Sequence, residues 1–292
     1  MRAVVAALPD IPTELMRVGQ LSHPFPCPWR LVVDRVSFCD PFLRQVMRYW
    51  SFAGCYVLND PFFTLVFDKL TELHLYDTLG ICHPRTVLLP RASTTEDLSE
   101  IVAEPQWEEI EATVGMPCIL KPVDGYAWQD VFRVDDPSTL RGLYESLKTS
   151  RTLIVQELVR WESYYRAFAV GGDVLIVRWK PLPFDRGVYA MPDTGELGAT
   201  ADFLRAKTAA LNALQGLDFN TVEWCVTGDG TPFVIDSFND VPDVRKEKLP
   251  PQCWDWIVDR FSRRVRERLA DGARNTLLPQ GLPVSDPGAP PG

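Results

Sequence analysis

The sequence predicts a mixed α/β chain, α+β in its larger part, with a reduced parallel α/β unit at the N-terminus. Three observations carry this prediction. Short apolar runs alternate with helix-spaced segments over the first ninety residues, which is the rhythm of parallel strand–helix–strand units. Further on, β-rich runs pair around glycine turns, which marks hairpins. The length of 292 residues, 46% hydrophobic and 24% charged, gives room for about two globular domains.

MRAVVAALP opens the chain as a first strand, and the proline-rich stretch ending HPFPCPW reads as an irregular arm. LVVDRVS (31–37) and CYVLND (55–60) are strands, with a helix over 41–53 between them that Gly54 stops. A second helix covers 62–79 and closes at Gly80; PRTVLLP (84–90) is the third strand. Ser93 or Thr94 caps a short helix, and 106–114 is helical up to Gly115. MPCILKPVDG and VFRVDD are strands joined by a turn at Asp124–Gly125, followed by a helix over 137–148 and a strand in TLIVQELV. YYRAFAVGGDVLIVRWKP is a hairpin around Gly171–Gly172, and 201–216 is an amphipathic helix. TVEWCVTGDGTPFVIDSF is a second hairpin, turning at Gly228–Asp229–Gly230. A final helix over 252–270 carries Arg260, Arg263, Arg264, Arg266 and Arg268, read as a solvated face, and 276–292 has the composition of a disordered tail. These elements divide the chain at 1–90, 91–160, 161–275 and 276–292.

A net charge of −9 argues against wrapping nucleic acid or an anionic membrane, since the long-range field repels polyanions. No run reaches the eighteen or so apolar residues of a membrane span, and the start lacks the long apolar core of a secretory signal. Seven cysteines at irregular spacing, mostly inside apolar runs, and three histidines without metal-ligand spacing suggest a reduced, cytoplasmic protein without structural zinc.

Three places could carry chemistry. Lys121 ends the apolar strand CILK before Pro122, so it is either a phosphate contact or a lysine reaching from a strand end to solvent. The turn from Asp124 through Gly125 could present backbone N–H groups to phosphate, or close a plain hairpin. Glu223 and Asp236 lie on partner strands, with Asn239 just beyond. Two acids on an apolar surface repel unless a cation lies between them, and such oxygen ligands suit Mg²⁺ sharing its shell with phosphates. Alternatively, Glu223 faces water and Asp236 caps a turn.

In order, NDPFFTLVFDKLTELHLYDTLGICHPRTVLLP, VGMPCILKPVDGYAWQDVFRV, LIVQELVRWESYYRAFAVGGDVLIVRWKP and GLDFNTVEWCVTGDGTPFVIDSFND resemble the ATP-grasp superfamily of carboxylate–amine and carboxylate–thiol ligases, which includes glutathione synthetase and ribosomal-protein glutamate ligase. The resemblance spans about residues 59–243. It implies an ATP-grasp fold with a pre-ATP-grasp domain (1–90), a lid subdomain (91–160) and a C-terminal subdomain with a metal site (161–275). It also implies an enzyme that joins a carboxylate to an amine or thiol through an acyl phosphate, releasing ADP and phosphate.

By the same resemblance, Lys69 and Lys121 hold nucleotide phosphates and the loop around Gly125 closes over them. Gln156, Glu157, Leu158 and Val159 form the hinge that reads adenine, and Glu162 meets the ribose. Arg166 and Lys180 face the γ-phosphate and acyl phosphate, while Glu223, Asp236 and Asn239 bind Mg²⁺, with Mn²⁺ as a substitute. The last motif is one residue longer than the family's acid-x-Asn, so alternation turns one ligand away unless a bulge intervenes. The implied partners are small-molecule or peptide carboxylates and amines, without nucleic acid or membrane; a homodimer is left open. Two other classes would keep the nucleotide site: a small-alcohol kinase, against which the modest basic content of residues 30–60 argues, and a non-catalytic nucleotide-binding protein.

Overall fold

The computed structural model describes residues 1–92, 102–125, 128–181, 187–193, 195–272 and 274–275. The expected cap at 93–94 and the tail at 276–292 lie outside the described residues. Strand β1 (Leu31–Val33) lies parallel to β2 (Tyr56–Leu58), with Val32 opposite Val57. Helix α2 (Pro41–Phe52) connects them and begins where the Asp40 carboxylate accepts the Leu43 N–H at 2.9 Å, with proline in its first turn. It packs Val46, Met47 and Trp50 against Val32, Cys55 and Val57.

The expected N-terminal strand is instead a short helix, α1 (Arg2–Ala6). The run finds no strand to pair with, whereas Val4 and Leu8, four apart, share one helical side. Both pack into a cluster with Ile257, Phe261 and Val265 of α7 (Pro251–Ala270). The expected helix over 62–79 is also broken, into a tight turn at Phe63–Leu65 and α3 (Thr71–Leu79). The cause is Asp68, whose carboxylate accepts the N–H groups of Leu70 (3.0 Å) and Thr71 (2.8 Å), a local cap that competes with helix continuation. Lys69 therefore sits in the turn before α3 rather than on a helix face.

The third expected strand leaves the parallel unit. β3 (Thr86–Leu88) runs antiparallel to β6 (Leu153–Glu157) in a four-stranded sheet ordered β3-β6-β4-β5, with β4 (Cys118–Pro122) and β5 (Phe132–Val134). An apolar run specifies a strand but not its partner, so the parallel pair has two strands and the antiparallel sheet draws one from before residue 91. Helices α4 (Trp107–Val114) and α5 (Pro137–Leu147) bury Ile110, Val114, Leu140 and Tyr144 against Leu120 and Val155 of this sheet.

The second sheet is antiparallel throughout, ordered β11-β10-β7-β8-β9. Its strands are β7 (Ser163–Val170), β8 (Asp173–Lys180), β9 (Val188–Ala190), β10 (Phe219–Val226) and β11 (Pro232–Asp236). Helix α6 (Thr200–Leu214) covers one face through Leu204 and Leu211, against Ala167, Ile176, Val222 and Trp224. On α7, the arginines expected to be solvated are partly an internal clamp. Arg264 and Arg268 both reach Asp218 at 2.7 Å, and that carboxylate is almost wholly buried. Asp218 precedes β10, so the clamp fixes the strand that carries Glu223.

Candidate nucleotide and metal site

The site begins with a bulge. Trp224 pairs with Val234, yet the next pair is Glu223 with Asp236, leaving Ile235 as the extra residue. In an unbulged ladder Glu223 would oppose Ile235 and Asp236 would face the other side. On the neighbouring strand Arg166 pairs with Glu223, so Arg166, Glu223 and Asp236 form a row on the face away from α6. Arg166 Nη2 donates to Glu223 Oε1 at 3.1 Å, and the Tyr164 hydroxyl donates to Oε2 at 3.1 Å. Arg166 Nη1 donates to the Tyr189 hydroxyl at 2.6 Å, and the guanidinium lies 4.5 Å from the Trp179 ring centroid, a cation–π contact. Burial raises the Glu223 pKa, against the pull of Arg166, and Asp236 raises it further.

The two lysines approach this row from other elements. Lys69 Nζ lies 3.5 Å from Asp236 Oδ2 and donates to the Gly125 carbonyl at 2.9 Å. Burial lowers the Lys69 pKa, but Asp236, Glu72 and Glu223 outweigh it and hold the ammonium above its ordinary range. Lys121, on β4, is 7% exposed and has no carboxylate within ion-pair distance among the described residues. Burial, then the like charge of Lys69, pulls its pKa down to about 8. Both lysines line one cavity between the sheets, with Glu72, Tyr76, Gln156, Val234 and Ile235. A buried and a half-buried ammonium group lining one cavity favour a polyanion.

The residues present fit a divalent cation. Asp236 Oδ1 is buried without a hydrogen-bond partner, beside a second carboxylate on the same face. Asn239 donates its amide Nδ2 to the Thr221 carbonyl at 2.8 Å, and its Oδ1 has no hydrogen bond among the described residues. No three His, Cys, Asp or Glu side chains converge as a closed cage among the described residues. An ion here would complete its shell from phosphate and water, as Mg²⁺ commonly does.

The remaining expected residues divide. Gln156 is buried in the cavity wall and donates to Thr86 Oγ1 at 2.8 Å. The Glu157 carboxylate is taken by Arg85, whose Nε and N–H reach it at 2.5 and 3.1 Å, so it straps β6 to the start of β3. Leu158 and Val159 follow β6 as half-buried loop residues whose N–H groups have no carbonyl partner among the described residues. Gly125 is placed by its bond from Lys69; the next two residues of that loop lie outside the described ones. Glu162 is exposed at the entry to β7, its N–H bonded to the Val226 carbonyl at 2.9 Å.

Lys180 is not brought to Arg166. Arg166 pairs with Val177, so Trp179 shares its face, whereas the exposed Lys180 belongs to the opposite one. Arg166 and Lys180, expected at the γ-phosphate and the acyl phosphate, thus lie on opposite faces of the sheet. Glu72, Tyr189 and Asn220 escaped the sequence reading. Asn220 is fully buried and its Oδ1 accepts the Asn239 N–H at 2.9 Å. The available signal for Glu72 was its i,i+4 relation to Tyr76 on the buried stripe of α3.

No protein-family model matches the sequence, and no curated protein matches it. Solved structures do. D-cycloserine synthetase DcsG superposes with a TM-score of 0.64 at 16% identity, covering 92% of this chain and 94% of that one. VanG D-Ala:D-Ser ligase from Enterococcus faecalis gives 0.61 at 15% identity, covering 82% and 73%. D-alanine–D-alanine ligase from Bacillus anthracis, solved with ATP, gives 0.53 at 18% identity, covering 70% of this chain and 66%, just under two thirds, of that one. The ATP-grasp ligase PsnB, solved with a minimal precursor, Mg and ADP, gives 0.52 at 20% identity, covering 77% and 68%. The chain has the ATP-grasp fold.

Proposed function

We propose that the protein is an ATP-dependent ligase that joins a carboxylate to an amine. The observation that carries this reading is the Arg166–Glu223–Asp236 row meeting Lys69, whose Nζ lies 3.5 Å from Asp236 Oδ2, beside the cavity that Lys69 and Lys121 line. Two of the solved neighbours with this fold are ligases by name and a third is a synthetase, and one was solved with Mg and ADP. In this reading the four-stranded sheet is the lid and the five-stranded sheet the floor, with ATP between them.

Lys69 and Lys121 would hold the phosphates, and the N–H groups of Leu158 and Val159 would meet the adenine edge. Glu223, Asp236 and Asn239 would hold Mg²⁺, which supplies charge neutralisation for phosphoryl transfer. Arg166, kept charged and immobile by Glu223, Tyr189 and Trp179, would face the charge developing on the transferred phosphoryl group. The substrate carboxylate attacks the γ-phosphorus, ADP leaves, and an amine then displaces phosphate from the acyl phosphate. With Lys180 on the reverse face, Arg166 is the one expected catalytic cation on this face.

The direct assay is ADP release across panels of carboxylic acids and amines. Release requiring both substrates, with one phosphate per amide formed, supports the ligase. A phosphorylated product formed without any amine would identify a kinase instead. Among the described residues no helix is long and apolar enough to cross a membrane.

A further inference from the structure

We propose that Glu72 is a positioning residue that aims Asp236 at the metal, acting through Ser237; this rests on the metal reading given above. Neighbouring side chains on an extended segment point opposite ways, so Asp236 can face Glu223 only if Ser237 faces the interior. That interior is closed. Ser237 is fully buried, as are its neighbours Glu72, Tyr76, Gln215 and Asn220. A hydroxyl and an N–H turned into such a place need acceptors, or each group bears a full desolvation penalty.

One oxygen supplies them. Glu72 Oε2 accepts the Ser237 N–H at 3.1 Å and the Ser237 hydroxyl at 2.8 Å, and takes the Tyr76 hydroxyl as well. Gln215 Nε2 donates to Ser237 Oγ at 2.8 Å, and Asn220 Nδ2 donates to the Ser237 carbonyl at 2.8 Å. Ser237 is thus held on its N–H, hydroxyl and carbonyl. The residue before it is left with one direction, toward Lys69 and Glu223.

The choice of an acid here is informative. A carboxylate buried beside Asp236 carries like-charge repulsion that a glutamine would avoid. A deprotonated carboxylate, however, is acceptor-only, so it meets the Ser237 N–H, the Ser237 hydroxyl and the Tyr76 hydroxyl without presenting a donor of its own. Glutamine would put an N–H₂ donor where the carboxylate has its second acceptor oxygen. Glu72 also lies in the first turn of the helix that follows Lys69, so the same residue links the lysine-bearing turn to the strand that carries Asp236.

The test measures binding rather than turnover. The apparent Kd of the Mn²⁺–AMP-PNP complex is read by water-proton relaxation in wild type, Glu72→Ala, Glu72→Gln, Ser237→Ala and the Glu72→Ala/Ser237→Ala pair, with melting temperature alongside. Glu72→Ala should weaken binding about 10- to 100-fold, the range for supporting residues around metal ligands. Glu72→Gln should lose less, and the double variant should be no weaker than Glu72→Ala alone because both act through one contact. Wild-type affinity in Glu72→Ala overturns the role, as does wild-type affinity in both Glu72→Gln and Ser237→Ala should Glu72→Ala not fold. Asp236→Ala is the separate control: if it binds as wild type does, the metal reading falls and this role with it.

Discussion

Raising the pH above 8 should weaken ATP binding, and Lys121 sets where the weakening begins. The Lys121 pKa falls from 10.5 to about 8, because burial and Lys69 disfavour the ammonium. That displacement corresponds to about 3 kcal/mol against the charged form. Phosphates placed beside it favour the charged form again, so the bound-state pKa rises. Below pH 8 the lysine is charged before and after binding and adds no pH dependence of its own. Above pH 8 binding must take up a proton, and Kd rises about tenfold per unit as pH increases. At pH 9 the affinity should be about tenfold weaker than at pH 7.5. Glu72, pushed up to about 7 by burial and Asp236, has mostly ionised before this window opens. Calorimetry in two buffers of different ionisation enthalpy should show about half a proton taken up at pH 8 and nearly one at pH 9. Lys121→Met should bind more weakly at pH 7.5 and lose the slope. A constant Kd from pH 7.5 to 9.5 with no proton uptake would refute the placement of Lys121 at the phosphates.

Glu223→Gln keeps the side-chain shape but removes its charge; turnover should fall by about a hundredfold or more in a steady-state ADP assay. Glu223→Ala should do the same and also cost about 3–5 kcal/mol in urea denaturation, because it leaves the Arg166 guanidinium buried without its carboxylate. Gly216→Ala, at φ +63° with the new Cβ 2.1 Å from the Phe63 ring, should lose about 2–4 kcal/mol of stability and shift the urea midpoint down. Asp218→Ala should lower the urea midpoint by a similar or larger amount, since it leaves both Arg264 and Arg268 without their shared acceptor.

Local signals were legible where a residue acts on its own neighbours. Helices α4 and α7 fall close to where periodicity puts them, and both hairpins turn at their glycines. What the chain does not display is partner choice. β3 reads as a strand, but its pairing with β6 depends on which sheet lies alongside it. The same holds for α1, a β-branched run for which helix packing on α7 won over an unpaired strand edge. In the site, the residue types of Glu223, Asp236 and the lysines carried the resemblance. The bulge at Ile235 did not, because counting residues between two acids cannot show where a ladder slips. Glu72 stayed hidden for a related reason: one acid on a short helix looks solvated until the buried serine 165 positions away is placed against it. Lys180 shows the reverse case, a basic residue that register puts on the face opposite Arg166.

The central claim is that Glu223 and Asp236 share a divalent ion that also touches a triphosphate held by Lys69 and Lys121. A crystal grown with AMP-PNP and Mn²⁺, with data collected at the manganese absorption edge, addresses it directly. The account predicts an anomalous peak between the two carboxylates, within about 2.3 Å of an oxygen from each, with phosphate oxygens beside both ammonium groups. A peak elsewhere, or a nucleotide bound away from the cavity between the sheets, would contradict it.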